Sequence, residues 1–250
     1  MKVAICQPTY LPWLGYFDLL DQVNTFVLLD TVQFEKQSWQ HRNRIKTPNG
    51  LQWLTVPVLF RGHFGQSIDQ VAIREPDFWR KHQRSLEVNY GRARFFAEYS
   101  EPLRSILENG SEQGRLVDLN VGLLRFFADR LKLRTPLVLA SSLNVEGKRT
   151  ALLANICERL GATEYISPIG SAAYLLDELE VLTSRGIQVS FHNYTHPEYK
   201  QLFPPFVPYA CILDVLFNEG ERSREIIRSG RGVPFSPEQV ASMVTETQKA

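Results

Sequence analysis

The first thirty residues restrict the fold more than any other part of the sequence, because a strand pattern, a helix pattern and a second strand pattern follow one another there. Residues 2–6 form a short apolar run, residues 15–23 repeat apolar side chains at helical spacing, and residues 25–29 form a second apolar run. Two strands joined through a helix pair in parallel as a βαβ unit. We therefore predict an α/β fold with a mainly parallel sheet flanked by helices.

The rest of the chain alternates helical and strand patterns. Residues 76–134 predict a helical insertion, with helices at 78–90, 94–109 and 116–131. The other predicted elements are strands at 51–59, 137–140, 165–167 and 187–191 and helices at 150–160, 172–185 and 207–217. We expect residues 1–230 to form one α/β domain with the insertion as a subdomain, followed by a polar C-terminal tail at 231–250.

Composition excludes several classes of protein. The 28 lysines and arginines nearly balance the 27 acids, and this net charge of +1 predicts no nucleic-acid partner. Cys6, Cys157 and Cys211 lack the spacing of a disulfide framework or a structural zinc site, so no metal is predicted. The N-terminal apolar run ends at Gln7, too short for a signal peptide or a membrane span, which predicts a cytoplasmic protein. The sequence identifies no cofactor and no oligomeric state.

Residues 6–17, which link the first strand to the first helix, form the first candidate ligand-binding segment. In parallel sheets this junction lies at the carboxyl edge, where a helix N-terminus offers free N–H groups to an anion. Tyr10 and Trp13 are predicted to stack on a sugar or a base, and Gln7 to bind its polar substituents. The alternative is that the aromatic side chains belong to the core and that the prolines shape a turn.

The second candidate segment runs from Asp30, at the end of a predicted strand, to Lys46. It has no apolar periodicity, so we predict a loop in which Arg42, Arg44 and Lys46 bind phosphate. The side chains predicted to contact other parts of the ligand are Gln33, Trp39 and Asn43. A solvated loop without a ligand is the alternative.

The third candidate segment directly follows the last predicted strand. His192 and His196 are four residues apart, but Pro197 disfavours the helix on which this spacing would bind a metal. We predict that His196 is a general base, and a structural role for its ring is the alternative. Tyr199 and Gln201 are predicted to contact the ligand.

The fourth candidate segment lies on the last predicted helix. Cys211, Asp214 and Asn218 would form a polar stripe on one of its faces, which calls for a partner or a cavity. Asp214, or the strand-end Asp30, is predicted to orient His196, and Asn218 to contact the ligand. The alternative is that Asn218 caps the helix and that Cys211 is a small buried hydrophobe.

Covalent catalysis by a cysteine is disfavoured. Cys6 would lie at a strand end near a helix N-terminus, which lowers the pKa of a thiol. However, nothing in the sequence pairs Cys6 or Cys211 with His196. The motifs of serine hydrolases, P-loop NTPases, dinucleotide-binding folds, zinc proteases and kinases are also missing from the sequence.

Three long patterns remain to be explained. They are Gln7-Pro8-x-Tyr10-Leu11-Pro12-Trp13-x-Gly15, then Ser38-Trp39-Gln40-x-Arg42-Asn43-Arg44-Ile45-Lys46, and finally His196-Pro197-x-Tyr199-x-Gln201 followed by Asp214-x-Leu216-Phe217-Asn218-Glu219-Gly220. Together they resemble the WbqC family over residues 2–230. The resemblance implies association with surface-polysaccharide and O-antigen genes, and acyl or aminoacyl transfer to an amino or deoxy sugar.

The residues and the resemblance together predict a group-transfer enzyme whose substrate is a small molecule, a phosphorylated or nucleotide-linked sugar. Nucleotidyl transfer, which releases pyrophosphate with magnesium, is one alternative, and non-catalytic sugar binding is the other. Because both groups of polar residues follow strands of one sheet, we expect polar atoms of Asp30 or Gln33 to share a cleft with His196 or Asp214.

Overall fold

A five-stranded parallel sheet forms the centre of the molecule. The structure, a computed structural model, describes residues 1–247, with side chains through residue 244. The strands of the sheet are β1 (Lys2–Cys6), β2 (Thr25–Leu28), β5 (Leu137–Leu139), β6 (Glu164–Ser167) and β7 (Gln188–Phe191). Their order is β5-β2-β1-β6-β7, and Val27 of β2 lies opposite Ile5 on one side and Val138 on the other. The predicted α/β fold is confirmed.

Helices cover both faces of this sheet. They are α1 (Leu14–Asp21), α2 (Phe78–Tyr90), α3 (Phe96–Gln113), α4 (Leu116–Arg130), α5 (Arg149–Leu160), α6 (Ala172–Leu175), α7 (Glu180–Thr183), α8 (Ile212–Glu219), α9 (Ser223–Ser229) and α10 (Pro237–Thr247). The helices α2, α3 and α4 form the predicted helical insertion, whereas the helix predicted at 172–185 is divided into α6 and α7. Within residues 1–247, no helix combines the length and the apolar character needed to cross a bilayer.

Side chains of the sheet alternate between two apolar cores, as expected for parallel strands buried on both faces. Ala4 and Phe26 pack into the core formed with α1–α4 and α8. Val3 and Val27 pack into the core formed with α5–α7 and α10. The sheet is thus the middle of three layers.

The strand order changes direction at β1, with β2 and β5 on one side and β6 and β7 on the other. In open parallel sheets such a reversal leaves a crevice outside the carboxyl ends of the strands, where ligands bind. The segment 7–13 leaves β1 at this crevice and leads into α1. The topology therefore places these residues where a ligand is expected to bind.

The end of the predicted loop from Asp30 to Lys46 is a strand, and it forms a β-hairpin with the strand predicted at 51–59. Strand β3 (Arg42–Thr47) pairs antiparallel with β4 (Gly50–Thr55), and Arg44 lies opposite Trp53. Gly50 has a φ of 101°, which suits the turn between the strands. The loop prediction was wrong because charged side chains occupy one face of β3, so the alternation of a strand does not appear as an alternation of apolar residues.

The helix predicted at 207–217 begins later than expected, because α8 starts at Ile212. Tyr209 has a φ of 64°, a left-handed conformation that an α-helix excludes. Cys211 is consequently the N-cap of α8 and does not belong to a helical stripe with Asn218. The predicted polar stripe is wrong in this respect.

The chain after residue 230 folds back onto the sheet, although the sequence predicts a polar tail at 231–250. Phe235 pairs with Phe191 at the end of β7, and Val240 of α10 is buried in the second core. Residues 248–250 of the predicted tail lie outside the described residues.

Candidate functional site

A cleft of about 300 Å³ opens beside the start of α1, at the crevice expected from the strand order. Its walls come from the segment after β1, from the hairpin and from the segment before α8. The lining residues are Thr9, Pro12, Trp13, Tyr16, Trp39, Asn43, Arg44 and Tyr209. A concave, mainly aromatic lining with a few polar groups is typical of a small-molecule site.

Hydrogen bonds to the backbone hold the wall formed by residues 7–13. The amide of Asn43 donates to the carbonyls of Tyr10 and Leu11 at 3.3 and 2.7 Å. The N–H of Tyr10 donates to the carbonyl of Trp39 at 2.9 Å. Asn43, which we predicted to bind ligand substituents, lines the cleft, but its amide nitrogen is committed to this wall.

Tyr10 is part of the core and not of the cleft, which corrects its predicted stacking role. It is fully buried, and its hydroxyl donates to Nδ1 of His82 at 2.8 Å. Burial lowers the pKa of His82 to about 4, so the neutral ring can accept from Tyr10 while its Nε2–H donates to the carbonyl of Thr55 at 3.2 Å. His82 thereby ties the wall after β1 to the hairpin.

Trp13 divides the cleft from a group of aromatic side chains beneath it. A side chain at position 15 would collide with its indole, which explains the glycine two residues later. The indole packs edge-on against Tyr194, with ring centroids 5.5 Å apart, and in a tilted contact against Tyr209 at 5.6 Å. It also lies nearly parallel to the ring of His196 at 6.4 Å. Trp13 is therefore the link between the N-terminal and C-terminal segments.

Arg44 gives the cleft a positive charge without a counter-ion. Its guanidinium lies 5.4 Å from the ring of Trp39 and 5.5 Å from that of Trp53. Its Nε is enclosed without a hydrogen-bond partner, and no ion pair is formed by Arg44 within the described chain. The start of α1, which has no side-chain cap, adds the positive end of a helix dipole at the same wall. An anionic group would find unmatched positive charge here.

His196 has an orientation that exposes one nitrogen as a base. Its Nδ1 lies 3.0 Å from the carbonyl of Pro197, which can only accept, so Nδ1 carries the proton of the neutral ring. Burial lowers the pKa of His196, which keeps the ring neutral at pH 7. Nε2 is then an unprotonated acceptor, and it is enclosed without a partner. Tyr209 lines the cleft, and its ring centroid is 5.1 Å from that of His196.

Asp214 does not orient His196, contrary to our prediction. This fully buried carboxylate accepts hydrogen bonds from the hydroxyls of Tyr90 and Tyr199, at 2.8 and 2.7 Å, and from the amide of Gln201 at 2.9 Å. Burial raises the pKa of Asp214, and the three hydrogen bonds counteract that rise. Asp214 therefore joins α2, α8 and the segment after β7 into one scaffold, and Tyr199 and Gln201 are committed to it.

Lys46 and Asn218 belong to this scaffold as well. Lys46 is 2% exposed, and its Nζ donates to the carbonyl of Thr47 at 3.0 Å, so it does not reach the cleft as a phosphate ligand. The amide of Asn218 donates to the backbone carbonyl of Asp214 one helical turn earlier, at 2.7 Å. Neither residue lines the cleft.

Asp30 and the two remaining predicted glutamines also lie away from His196. Asp30 is buried and accepts two hydrogen bonds from Ser141, one from its N–H at 2.9 Å and one from its hydroxyl at 2.6 Å. Gln33 is exposed and its backbone bridges to Ser67. Gln7 is exposed, and its side-chain oxygen accepts from Gln40 at 2.9 Å. Neither Asp30 nor Gln33 lines the cleft, and nor do His196 and Asp214, so the expected shared cleft is not found there. Trp13 instead contacts the C-terminal segment.

The cysteines are free and buried. Burial raises the pKa of Cys6 well above its ordinary value, and it raises the pKa of Cys211 to about 12. Both thiols are therefore protonated at neutral pH and are poor nucleophiles. Among the residues that the structure describes, no cluster of three His, Cys, Asp or Glu side chains has the arrangement of a metal site.

The structure brings together Trp13, Trp39, Arg44 and His196 from the predicted site, and it adds Tyr209. Arg42 is close by, with its guanidinium 4.2 Å from the ring of Trp53. Neither Tyr209 nor Trp53 was predicted. Trp53 could have been found from its pairing with Arg44 across the turn, but only if β3 had been predicted as a strand. No local sequence feature identifies Tyr209.

Comparisons with known proteins match the part of the chain that contains the cleft. The model of the WbqC-like protein family matches residues 7–226. A protein of Mycobacterium tuberculosis (strain ATCC 25618 / H37Rv), named Uncharacterized protein Rv1507c, is 40% identical over 229 residues, which cover 91% of this chain and 97% of that protein. No solved structure matches significantly. The chain belongs to the WbqC-like protein family.

Proposed function

We propose that this protein is a group-transfer enzyme that binds a phosphorylated or nucleotide-linked amino or deoxy sugar in the cleft and transfers an acyl or aminoacyl group to it. One observation carries the proposal: an unpaired arginine lines the cleft together with Trp13, and the ring stacked on that indole has an unprotonated, unpartnered histidine nitrogen. Such a pair can hold an anion and remove a proton from a group attached to it.

Arg44 binds the phosphate in this proposal. A guanidinium offers planar, bidentate donors to phosphate, and its contacts with Trp39 and Trp53 hold it without neutralising it. The indoles of Trp13 and Trp39 supply flat apolar surfaces for a sugar or a base. The ligand thus meets one charge and two stacking surfaces.

His196 acts as the general base. Its Nε2 takes the proton from the acceptor hydroxyl or amine as that atom forms the new bond to the acyl carbon, and the proton then passes to the leaving group of the donor. Tyr209 stands between this nitrogen and the cleft, so its ring moves aside when the acceptor binds. Association with surface-polysaccharide synthesis follows from the family resemblance and forms part of the same proposal.

Titration calorimetry with UDP-N-acetylglucosamine and with a dTDP-linked 4-amino-4,6-dideoxy sugar tests the binding step. We expect Arg44→Gln to raise the dissociation constant about tenfold to hundredfold, the loss of a hydrogen bond to a charged group. Arg159→Gln, which removes an exposed charge from α5, is the matched control and leaves binding unchanged. Equal binding by wild type and Arg44→Gln would remove the phosphate assignment.

Mass spectrometry of the sugar after incubation with acyl-coenzyme A thioesters tests the transfer step. His196→Gln is expected to lower the rate by about 10²–10⁴, the usual contribution of a general base, with little change in sugar binding. Saturable binding without a mass gain under any thioester would favour the non-catalytic alternative. Release of pyrophosphate from nucleoside triphosphates would favour nucleotidyl transfer.

A further inference from the structure

A second, larger groove adjoins the hairpin and has no part in the proposed transfer. Its volume is about 560 Å³, against about 300 Å³ for the cleft. The polar and aromatic side chains that line it are Lys36, His41, Thr55, Phe60, Arg61 and Arg74, and no acid lines it. A groove of this composition favours an anionic ligand.

A ladder of alternating indoles and guanidiniums connects the two cavities. Arg44 lies 5.4 Å from the ring of Trp39 and 5.5 Å from that of Trp53, the two indoles are 5.3 Å apart, and Arg42 lies 4.2 Å from Trp53. Trp39 and Arg44 line the cleft, whereas Arg42 is paired in register with Thr55, which lines the groove. Cleft, ladder and groove therefore form one continuous surface.

Most of the positive charge of this surface has no acidic partner within the described part of the protein. Residues 36–74 contain six lysines and arginines, five of them apart from the buried Lys46, and a single acid, Asp69, although the whole chain has a net charge of +1. Within the described part of the chain, Lys36, Arg42, Arg44 and Arg61 form no ion pair, and Arg74 pairs with Glu75 at 2.6 Å. The near-neutral total that predicted no nucleic-acid partner conceals this local excess.

Exposed aromatic side chains lie among these charges. Trp39 and Trp53 are 48% and 42% exposed, and Phe64, which packs edge-on against Phe60 beside the groove, is 82% exposed. Stacking surfaces interleaved with cations bind single-stranded nucleic acids, because the bases stack on the rings and the phosphates contact the charges. An acidic polysaccharide fits less well, because its hydroxyls need carboxylates or amides and no side chain of that kind lines the groove.

We propose that the ladder and the groove bind a single-stranded nucleic acid, with its backbone along Arg42 and Arg61 and its bases on Trp53 and Trp39. This surface shares Trp39 and Arg44 with the sugar cleft and otherwise lies outside it, and the proposal does not depend on group transfer. Three or four phosphate contacts correspond to a slope of about −2 to −3 in the logarithm of the association constant against the logarithm of the salt concentration.

Fluorescence anisotropy of a 5′-labelled twelve-nucleotide oligouridylate, titrated with the full chain at several salt concentrations, tests this directly. Trp53→Leu is expected to raise the dissociation constant about 5- to 100-fold through lost stacking. Arg61→Gln should weaken binding and reduce the salt slope by about 0.7, because one phosphate contact is lost. The control Arg159→Gln should leave both unchanged, and thermal melting confirms that each variant is folded.

Absence of saturable binding at low salt would overturn the proposal. So would equal binding by wild type, Trp53→Leu and Arg61→Gln, or binding of heparin that exceeds that of the oligonucleotide. Calorimetry of Arg61→Gln with UDP-N-acetylglucosamine separates the two proposals. Unchanged sugar binding with weakened oligonucleotide binding supports nucleic-acid binding at the groove. This conclusion holds whether or not the cleft experiment supports the phosphate assignment of Arg44.

Discussion

The cleft and the buried cluster around Asp214 both contain tyrosines, an amide and a cation, but their polar atoms differ in whether they have partners. In the cluster, Asp214 receives three hydrogen bonds from Tyr90, Tyr199 and Gln201, and the nearby ammonium of Lys46 is also bonded. In the cleft, the Nε of Arg44 and, behind Trp13, the Nε2 of His196 have no partner.

This difference separates a scaffold from a site. Buried polar groups that are fully bonded fix one arrangement of the chain, whereas an enclosed polar group without a protein partner costs free energy that a bound ligand can recover. The residues around Asp214 therefore stabilise the fold, and the residues at the cleft form the candidate ligand site. Mutations in the cluster should lower the stability of the protein. Mutations in the cleft should weaken ligand binding and change stability little.

The largest effect is expected from Asp214→Ala. Three buried donors lose their acceptor at once, so we expect the free energy of unfolding to fall by about 3–5 kcal/mol. Urea denaturation followed by circular dichroism measures the change. The exposed Asp177→Ala is the control and should stay within about 0.5 kcal/mol of wild type. A loss of less than 1 kcal/mol for Asp214→Ala would show that the cluster is not a scaffold.

The second prediction concerns pH and His82, which ties the cleft wall to the hairpin. Its pKa is lowered from 6.5 to about 4 in the folded protein, so the unfolded chain binds more protons between these values. Stability contributed by neutral His82 is therefore present above pH 6.5 and is lost as the pH falls toward 4, by about 3 kcal/mol in total.

His82→Gln should flatten this dependence, because an amide can keep both hydrogen bonds without titrating. Urea denaturation at pH 4, 5, 6 and 7 measures the profile for both proteins. His41 and His196 have lowered pKa values as well, so a smaller slope of the same sign should remain. An unchanged slope in His82→Gln would contradict the assignment.

The sequence predicted elements whose pattern is local and missed contacts that depend on distant residues. Strand β1 and helix α1 follow from their own periodicity, and so do the helices of the insertion. Strand β3 was missed because Arg42 and Arg44 are residue types common in solvated loops. Their contacts with Trp53, on the other strand of the hairpin, do not appear in the local sequence pattern. The partner of Asp214 in α2, Tyr90, lies 124 residues away, and no local pattern could identify it.

The third prediction is the reverse of the first. Arg44→Gln should weaken binding of UDP-N-acetylglucosamine by about 1.5–3 kcal/mol, because a charge-assisted hydrogen bond is lost. Its free energy of unfolding should change by about 1 kcal/mol or less, since Arg44 forms no ion pair within the described residues and loses only its contacts with Trp39 and Trp53. Calorimetry and urea denaturation of the same preparation test the pair of values. A large loss of stability would place Arg44 with the scaffold.

The last prediction concerns Tyr209, which stands at the boundary between the two regions. Its φ of 64° is left-handed, which costs a residue with a side chain about 1–2 kcal/mol and glycine almost nothing. Tyr209→Gly removes that strain together with the ring contacts to Trp13 and His196, so its free energy of unfolding should stay within about 1 kcal/mol of wild type. Tyr209→Ala loses the same contacts but keeps the strain, and it should be about 1 kcal/mol less stable than the glycine variant.

Both variants uncover Nε2 of His196, so the pKa of that histidine should rise toward 6.5 because its burial is relieved. Following the imidazole C–H signals by NMR during a pH titration measures this rise. Two variants of equal stability would argue against strain at position 209, and an unshifted histidine would show that the ring of Tyr209 is not what separates His196 from the cleft.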